Sequence, residues 1–480
     1  MPPKQDDGGG SPPSAATANH ATFHRSRSHW FETADSYMPE RPLKGDIQVD
    51  VCVVGGGING LSSAYHLRKI DPTIEVALLE AEVAGFGASG RNAGQLIVAF
   101  GHGDFGQQIR HYGAENMGTA WRYVHEGIRM IEALLTEESI DCDYAPTGYL
   151  QTSLRVEGEK KLRAYMAFIK KIGQVDYMTY VSGADMASEF DSPYLGAALL
   201  DPRGGMFNPL KLMRGIKRAA IQRGARIFEN SPVARIERTP RSIILKTGGG
   251  SVRCEKLILA TNAYTHTLDG LDGIDNVRMQ SPLLVHGNVT EPLTPSQWEG
   301  VRWPRRCGVN LMSDIFYSFA PTRDGRILYV GGYYANSPPH KALSPEISWR
   351  FQAEGHHHLG QFFPALKDVR TVQSWGGPIS TTADFIPHVG FASDPRIVYA
   401  CGCWGHGIPI GTHNGRTLAE LTLGLKTQST ETWFVRRKTR LWPGRSLASF
   451  VSNKVVSMRQ SSSTKIGRKM KPPLNFGYSD

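Results

Sequence analysis

Residues 49–60, Val-Asp-Val-Cys-Val-Val-Gly-Gly-Gly-Ile-Asn-Gly, constrain the fold more than any other stretch of this 480-residue chain. Five of the first six residues are apolar and four are valine, the pattern of a strand buried on both faces. Gly55, Gly57 and Gly60 then stand in a G-x-G-x-x-G turn, and the run Leu61–Ile70 is helix-like. A strand, a glycine turn and a helix in this order aim backbone N–H groups and the positive end of a helix at an anion, typically a pyrophosphate. A second apolar run, Val76–Leu79, ends in Glu80, twenty residues after Gly60. A carboxylate there accepts hydrogen bonds from both hydroxyls of an adenosine ribose and repels a 2′-phosphate. FAD or NAD is therefore expected as ligand, and NADP is not.

A second small-residue stretch follows at once. Gly85-Phe-Gly-Ala-Ser-Gly-Arg-Asn-Ala-Gly-Gln95 holds four glycines, two alanines and a serine in eleven residues. Such a loop lets backbone lie against a flat ligand, while Ser89, Arg91, Asn92 and Gln95 can satisfy its polar edges.

Length and charge bound the rest. A chain of 480 residues is too long for one ordinary core and suits two interleaved domains. No apolar run approaches the length of a membrane helix, and Met1–Gly10 carries acids without an apolar segment, so no secretory signal is expected. Six scattered cysteines make no disulfide framework, and a reducing cytoplasm is the expected location. The net charge of +10 resides in the tail, where eleven Lys/Arg and no acid stand between Arg436 and Lys471. The tail reads as solvated, and neither nucleic acid nor a membrane is expected as a partner. His356, His357 and His358 point to different helix faces with no further ligand at suitable spacing, so no metal is expected.

Along the chain, residues 1–28 read as a disordered tail rich in Pro, Gly and Ser. The stripe Met117, Trp121, Val124, Ile128, Ile131 and Leu135 predicts one long helix over 104–135 that packs into a core. Strands are expected at 225–228, 233–238, 243–247 and 256–260. A hairpin is expected from Ile315–Phe319 and Arg326–Gly332, and a helix over Thr412–Leu423.

Gly55, Gly57, Gly60, Glu80 and the run Gly87–Gln95 together resemble the FAD-dependent oxidoreductases of the D-amino-acid oxidase superfamily. The nearest branch is that of γ-glutamylputrescine oxidase-like and glycine/sarcosine oxidase-like amine oxidoreductases, over about residues 29–450. The resemblance implies an α/β architecture, α+β overall: a Rossmann-like FAD-binding domain interleaved with a substrate domain built on a mixed, largely antiparallel sheet. The FAD-binding parts would be 29–140, 206–276 and 376–435, and the substrate parts 141–205 and 277–375. A basic tail, 436–480, would follow. It further implies that FAD is held by Gly55, Gly57, Ile58, Asn59, Gly60 and Glu80 in the first turn. Ala88, Ser89, Arg91, Asn92, Gly94 and Gln95 follow in the second, with Val233 and Ala260 at strand ends. Gly402, Gly405, His406, Gly407 and Ile408 complete the set in the turn Gly402-Cys-Trp-Gly-His-Gly407, where a helix N-terminus beside the flavin's N1–C2=O edge would stabilise the charge of reduction. Pro409 stands where relatives often carry a basic residue. Ser374-Trp375 stands where some carry the cysteine that bonds the flavin, so a noncovalent FAD is expected. Trp375, Trp404, His406 and Tyr317 are the implied catalytic-pocket residues. The implied reaction oxidises the C–N bond of an amine or amino acid by hydride transfer to flavin N5, with O₂ as acceptor. A dehydrogenase using a quinone or protein acceptor is the alternative within enzymes. A flavin-binding interaction protein docking through its basic tail is the alternative outside them.

Overall fold

The computed structural model describes residues 28–271, 279–313, 317–331, 349–438, 441–442, 454, 465–466 and 468–469. The expected N-terminal tail up to residue 27 and most of the basic C-terminal tail lie outside the described residues. In chain order the first strands are β1 (Ile47–Val54), β2 (Val76–Leu79), β3 (Gln95–Leu96), β4 (Tyr149–Leu154), β5 (Thr179–Val181), β6 (Leu195–Asp201), β7 (Gly205–Met206), β8 (Arg226–Phe228) and β9 (Val233–Arg238). They are followed by β10 (Ile243–Thr247), β11 (Gly250–Leu259), β12 (Gln280–Thr290), β13 (Gly308–Leu311), β14 (Tyr317–Pro321), β15 (Ile327–Gly331), β16 (Thr371–Thr382), β17 (His388–Phe391) and β18 (Ile397–Cys401). Four helices matter here: α1 (Ile58–Ile70), α2 (Ala114–Glu137), α3 (Pro209–Gln222) and α4 (Gly407–Leu423).

The strands form two large sheets. The first runs β17-β18-β11-β1-β2-β8, parallel from β18 to β8, with β10 and β9 as an antiparallel extension from β11. The second runs β16-β12-β15-β14-β13-β4-β6-β5 and is antiparallel except at β13/β4. The chain alternates between them, as an interleaved architecture requires. Valines 51 and 53 of β1 join one apolar core under the helices, while Cys52 and Val54 join another on the opposite face. That double burial is the physical reason for the near-continuous apolar run.

Helix α1 follows β1 directly, and β1 lies between β2 and β11, so the glycine turn opens at a topological switch point of the first sheet. Ala260 N–H donates to Val54 O at 2.9 Å, bringing the end of β11 alongside the turn. A Cβ on Gly55, whose φ is +107°, would sit 2.9 Å from Ala260 O, and one on Gly60 would sit 1.9 Å from Gly55 O. Helix α4 then lies across α1 at equally close range. A Cβ on Gly411 would meet Ile58 Cγ2 at 2.6 Å, and one on Gly415 would meet Ser62 Cβ at 2.3 Å. Ser62 Oγ donates to Thr412 O at 2.7 Å. On the other side, Gly127 of α2 leaves room for Pro409 O, which a Cβ would approach to 2.0 Å.

Several expectations need correction. The long helix is two, Phe105–Tyr112 and α2, because Gly113 takes φ +82° between them. Strand β16 stays in the second sheet up to Thr382, paired with Gln280, so the expected break at 375/376 falls inside a strand. Ser28 is fully buried and donates to Gly90 O at 2.6 Å, so the ordered chain begins before residue 29. The tail does not leave the body at 436. Arg436 N–H donates to Val389 O, and Arg437 pairs with Asp384 and is mostly buried.

Gly411→Val should cost about 1–3 kcal/mol, because the α1/α4 contact has no room to yield. Chemical denaturation should show a lowered midpoint, and an unchanged midpoint would contradict this packing.

Candidate functional site

One cleft of about 1500 Å³, counting its open mouth, lies between the two sheets. One wall is the start of α1 (Gly57, Ile58, Asn59) with the loop residues Ala88, Ser89, Arg91, Asn92, Ala93 and Gln95. Another is the end of β18 and the start of α4, from Cys401 through Gly405, His406, Gly407 and Ile408 to Gly411. The roof is the second sheet: Val285, His286 and Gly287 of β12, Asn310 of β13, Ser318 of β14, Val330 of β15, and Gly377 and Ile379 of β16.

Two helix N-termini open on this cleft. Neither Gly57 nor His406 caps its helix with a side chain, so first-turn N–H groups are left for other acceptors. One is already used, since Ile58 N–H donates to Ser89 Oγ at 3.0 Å. Among the described lining residues, Arg91 carries the one formal charge. Its guanidinium donates to Phe86 O at 2.7 Å and Gly376 O at 3.2 Å, and lies 4.6 Å from the Phe86 ring centre. Field and charge are thus positive throughout, which suits an anionic or electron-accepting ligand. The His406 ring is neutral there, since burial pushes its pKa down to about 4.

A family model described as FAD dependent oxidoreductase matches residues 50–421. Gamma-glutamylputrescine oxidoreductase of Escherichia coli (strain K12) is 31% identical over 407 residues, covering 84% of this chain and 90% of that protein. Glycine oxidase of Bacillus licheniformis is 24% identical over 412 residues, 81% of this chain and 97% of that one. Among solved structures, glycine oxidase from Geobacillus kaustophilus matches with a TM-score of 0.67 at 20% identity, over 82% of this chain and 99% of its own. L-proline dehydrogenase from P. horikoshii matches with a TM-score of 0.66 at 20% identity, over 83% and 97%. The chain belongs to the family of FAD-dependent oxidoreductases.

The residues present fit FAD. Asn59 Oδ1, Asn262 Oδ1 and His406 Nδ1 are buried polar atoms with no partner in the protein, and all three residues line the cleft. In native folds such atoms usually meet a ligand or water. Glu80 lies outside the described lining, behind the first glycine turn: it accepts from Gly56 N–H at 2.5 Å and Glu82 N–H at 2.9 Å, and burial raises its pKa to about 7. An acid kept that far from its ordinary range by desolvation has acceptor capacity that hydroxyl donors can take up.

Of the other expected FAD residues, Gly55, Gly60, Gly94 and Gly402 stand behind the lining and shape the backbone. Gly402, at φ +80°, donates to Ser380 Oγ at 2.9 Å, and Gly94 makes room for the Trp30 ring. Ala260 lies on the lining, but Val233 does not: it sits in β9, in the antiparallel extension of the first sheet.

The four expected pocket residues separate. Trp404 and His406 line the cleft. Trp404 takes φ +54°, donates from Nε1 to Thr382 Oγ1 at 3.1 Å, and stacks on His102 with ring centres 5.2 Å apart. Trp375 lies outside the lining; its Nε1 donates to Arg91 O at 2.9 Å, so it braces the loop. Tyr317 also lies outside. It is bonded to His358 and packed against Phe319 and Phe362 in the second sheet's core. Side chains alternate along a strand, and Ser318 takes the cleft side of β14. His102, His286, Asn310 and Ser318 were not expected here, nor was the bracing of the Ser89–Gln95 loop by Ser28 and Trp30. Trp30 Nε1 donates to Asn92 O at 2.8 Å.

The His406 ring should remain neutral from pH 5 to 8, its pKa being near 4. Nitrogen-15 NMR of labelled histidines checks this, and a His406 midpoint near an ordinary 6.5 would contradict the enclosed site.

Proposed function

We propose that this protein oxidises the C–N bond of a primary or secondary amine, or of an amino acid, to the imine. The imine hydrolyses to a carbonyl compound and an amine, and O₂ is reduced to H₂O₂. The observation that carries the reading is the cleft itself. It is walled on two sides by the turns of an FAD-dependent fold and roofed by uncharged polar and apolar residues of the second sheet. The relatives support it, since the proteins similar over most of this chain are named as a γ-glutamylputrescine oxidoreductase, a sarcosine oxidase subunit and glycine oxidases.

FAD, when bound, supplies the two-electron hydride acceptor. The residues assigned to hold it are Gly57–Asn59, Glu80, Ala88–Asn92, Gln95, Ala260 and Gly405–Ile408. Their work is binding and orientation. Glu80 would accept hydrogen bonds from the ribose hydroxyls, the N-terminus of α1 and Ser89 would hold the pyrophosphate, and the N-terminus of α4 would stabilise the negative charge of the reduced ring. Pro409, without an N–H, removes one donor from that first turn. The roof excludes water, and the neutral His406 ring is suited to accept or donate one hydrogen bond without adding charge. The cofactor is held without a covalent bond. Cys401 and Cys403 line the cleft, but burial raises both thiols, Cys401 to about 12, and the thiol forms are unreactive as nucleophiles.

Anaerobic mixing with a panel of primary amines, N-alkyl amines and amino acids should bleach the flavin with at least one of them. Failure of every such compound to do so would sink the reaction class, whereas bleaching followed by slow return of colour in air would favour the dehydrogenase. Acid precipitation should leave a yellow supernatant and a colourless pellet.

Burial pushes the Glu80 carboxyl up to about 7, and its charged form is the better acceptor of ribose hydroxyls. Protonation therefore opposes binding. The FAD dissociation constant should rise as pH falls through about 7 and level off above it. Glu80→Gln should bind FAD more weakly at pH 8 and lose this dependence; a variant with the wild-type pH profile would remove Glu80 from the role.

A further inference from the structure

Resting on the amine-oxidation reading above, we infer that Arg437 is a positioning residue for the substrate. It is not among the described lining of the cleft, but it holds the turn 382–386, which orients the Trp404 ring that is.

The hydrogen bonds run in one direction along this connection. The Trp404 indole can only donate, and its Nε1 donates to Thr382 Oγ1 at 3.1 Å. The Thr382 hydroxyl donates in turn to Ile386 O at 2.8 Å. Arg437 Nη2 donates to that same carbonyl at 3.3 Å, and Nη1 donates to the Asp384 carboxylate. Asp384 Oδ1 accepts from Ile386 N–H at 3.3 Å, so the ion pair grips the peptide groups on both sides of Ile386. Its side chains are only 12% and 10% exposed, so removing the guanidinium leaves a buried carboxylate behind. Arg437 is itself pinned to β17. Its carbonyl accepts from His388 Nε2 at 2.7 Å, and Arg436 N–H donates to Val389 O at 2.8 Å.

The same turn carries Phe385, whose φ is +64°, as that of Trp404 is +54°. Bulky side chains stay in this left-handed region only where the surroundings fix them. Phe385 and His102 both stack on the Trp404 indole, with ring centres 4.9 and 5.2 Å away, and their own centres are 6.5 Å apart. Rings on opposite faces of one indole would stand about 7 Å apart or more, so these two share a face. Trp404 lines the cleft with what remains. Phe385 is 41% exposed, which makes this part of the wall its rim. The backbone of the flavin turn is held separately, by Gly402 N–H on Ser380 Oγ and Trp404 N–H on Ser380 O. Loss of the Arg437 guanidinium therefore frees the ring while the turn stays in place.

The FAD-loaded protein labelled with 5-fluorotryptophan tests the connection without any substrate. The Trp404 fluorine line is identified by its loss in Trp404→Phe. Arg437→Gln should shift or broaden it and leave the line of Trp121, in the core, where it is. Arg437→Lys, which keeps a cation beside Asp384, should lie closer to the wild type. Thr382→Val breaks the connection at its middle and should move the Trp404 line as Arg437→Gln does. With each amine of the panel above that bleaches the flavin, Arg437→Gln should raise the apparent Kd at least about threefold. The FAD dissociation constant should stay within about twofold, and Arg437→Gln should add nothing in a Trp404→Leu background. A Trp404 line unmoved by Arg437→Gln would overturn the inference, and so would a full loss of amine affinity in the Trp404→Leu background. If no amine bleaches the flavin, the amine reading fails by itself, and the fluorine line still decides whether Arg437 holds Trp404.

Discussion

The close approach of α4 to α1 is the constraint on which the rest of the site depends. Two glycines make it possible, Gly411 and Gly415 facing Ile58 and Ser62, while Gly127 of α2 gives room to the Pro409 carbonyl on the other side of α4. A side chain at Gly411 or Gly415 would push α4 away from the first glycine turn. Two chain segments some three hundred and fifty residues apart would then no longer open on one cleft. Small residues here are a packing requirement, and function follows from the geometry they permit.

That geometry sets the electrostatics. A helix terminus concentrates partial positive charge on N–H groups that have no partner within the helix. The cleft receives two such termini, keeps His406 neutral by burial, and places Arg91, the one charged residue among the described lining, against backbone carbonyls. Trp375 supports Arg91 from behind, and Ser28 and Trp30 support the adjoining loop. The second sheet contributes no charge to the described lining, so it can shape a substrate without disturbing the field of the turns.

Much of this was legible in the sequence, and the reason is local. Glycine turns, the valine run and the spacing to Glu80 each reflect constraints acting within a few residues, and the cleft gathers six of the eleven residues of the small-residue loop. What escaped depends on longer-range or finer relations. An aromatic hairpin does not reveal which parity of β14 faces the cleft, so Tyr317 was expected where Ser318 stands. The helix expected from Thr412 starts at Gly407, since proline is tolerated in a first helical turn and Pro409 does not delay it. Gly113 reads as one more helical residue until its positive φ divides the long helix. Ser28 and Arg437 carry no motif, and only contacts with Gly90 and Asp384 draw them into the body.

In the proposed complex, converging helix termini make the flavin end of the cleft electropositive. The two-electron midpoint potential of the bound FAD, measured by spectroelectrochemistry against free FAD in the same buffer, tests it most directly. A bound potential more positive than that of free FAD is predicted, because the protein field favours the added negative charge. A bound potential equal to or below that of free FAD would contradict it.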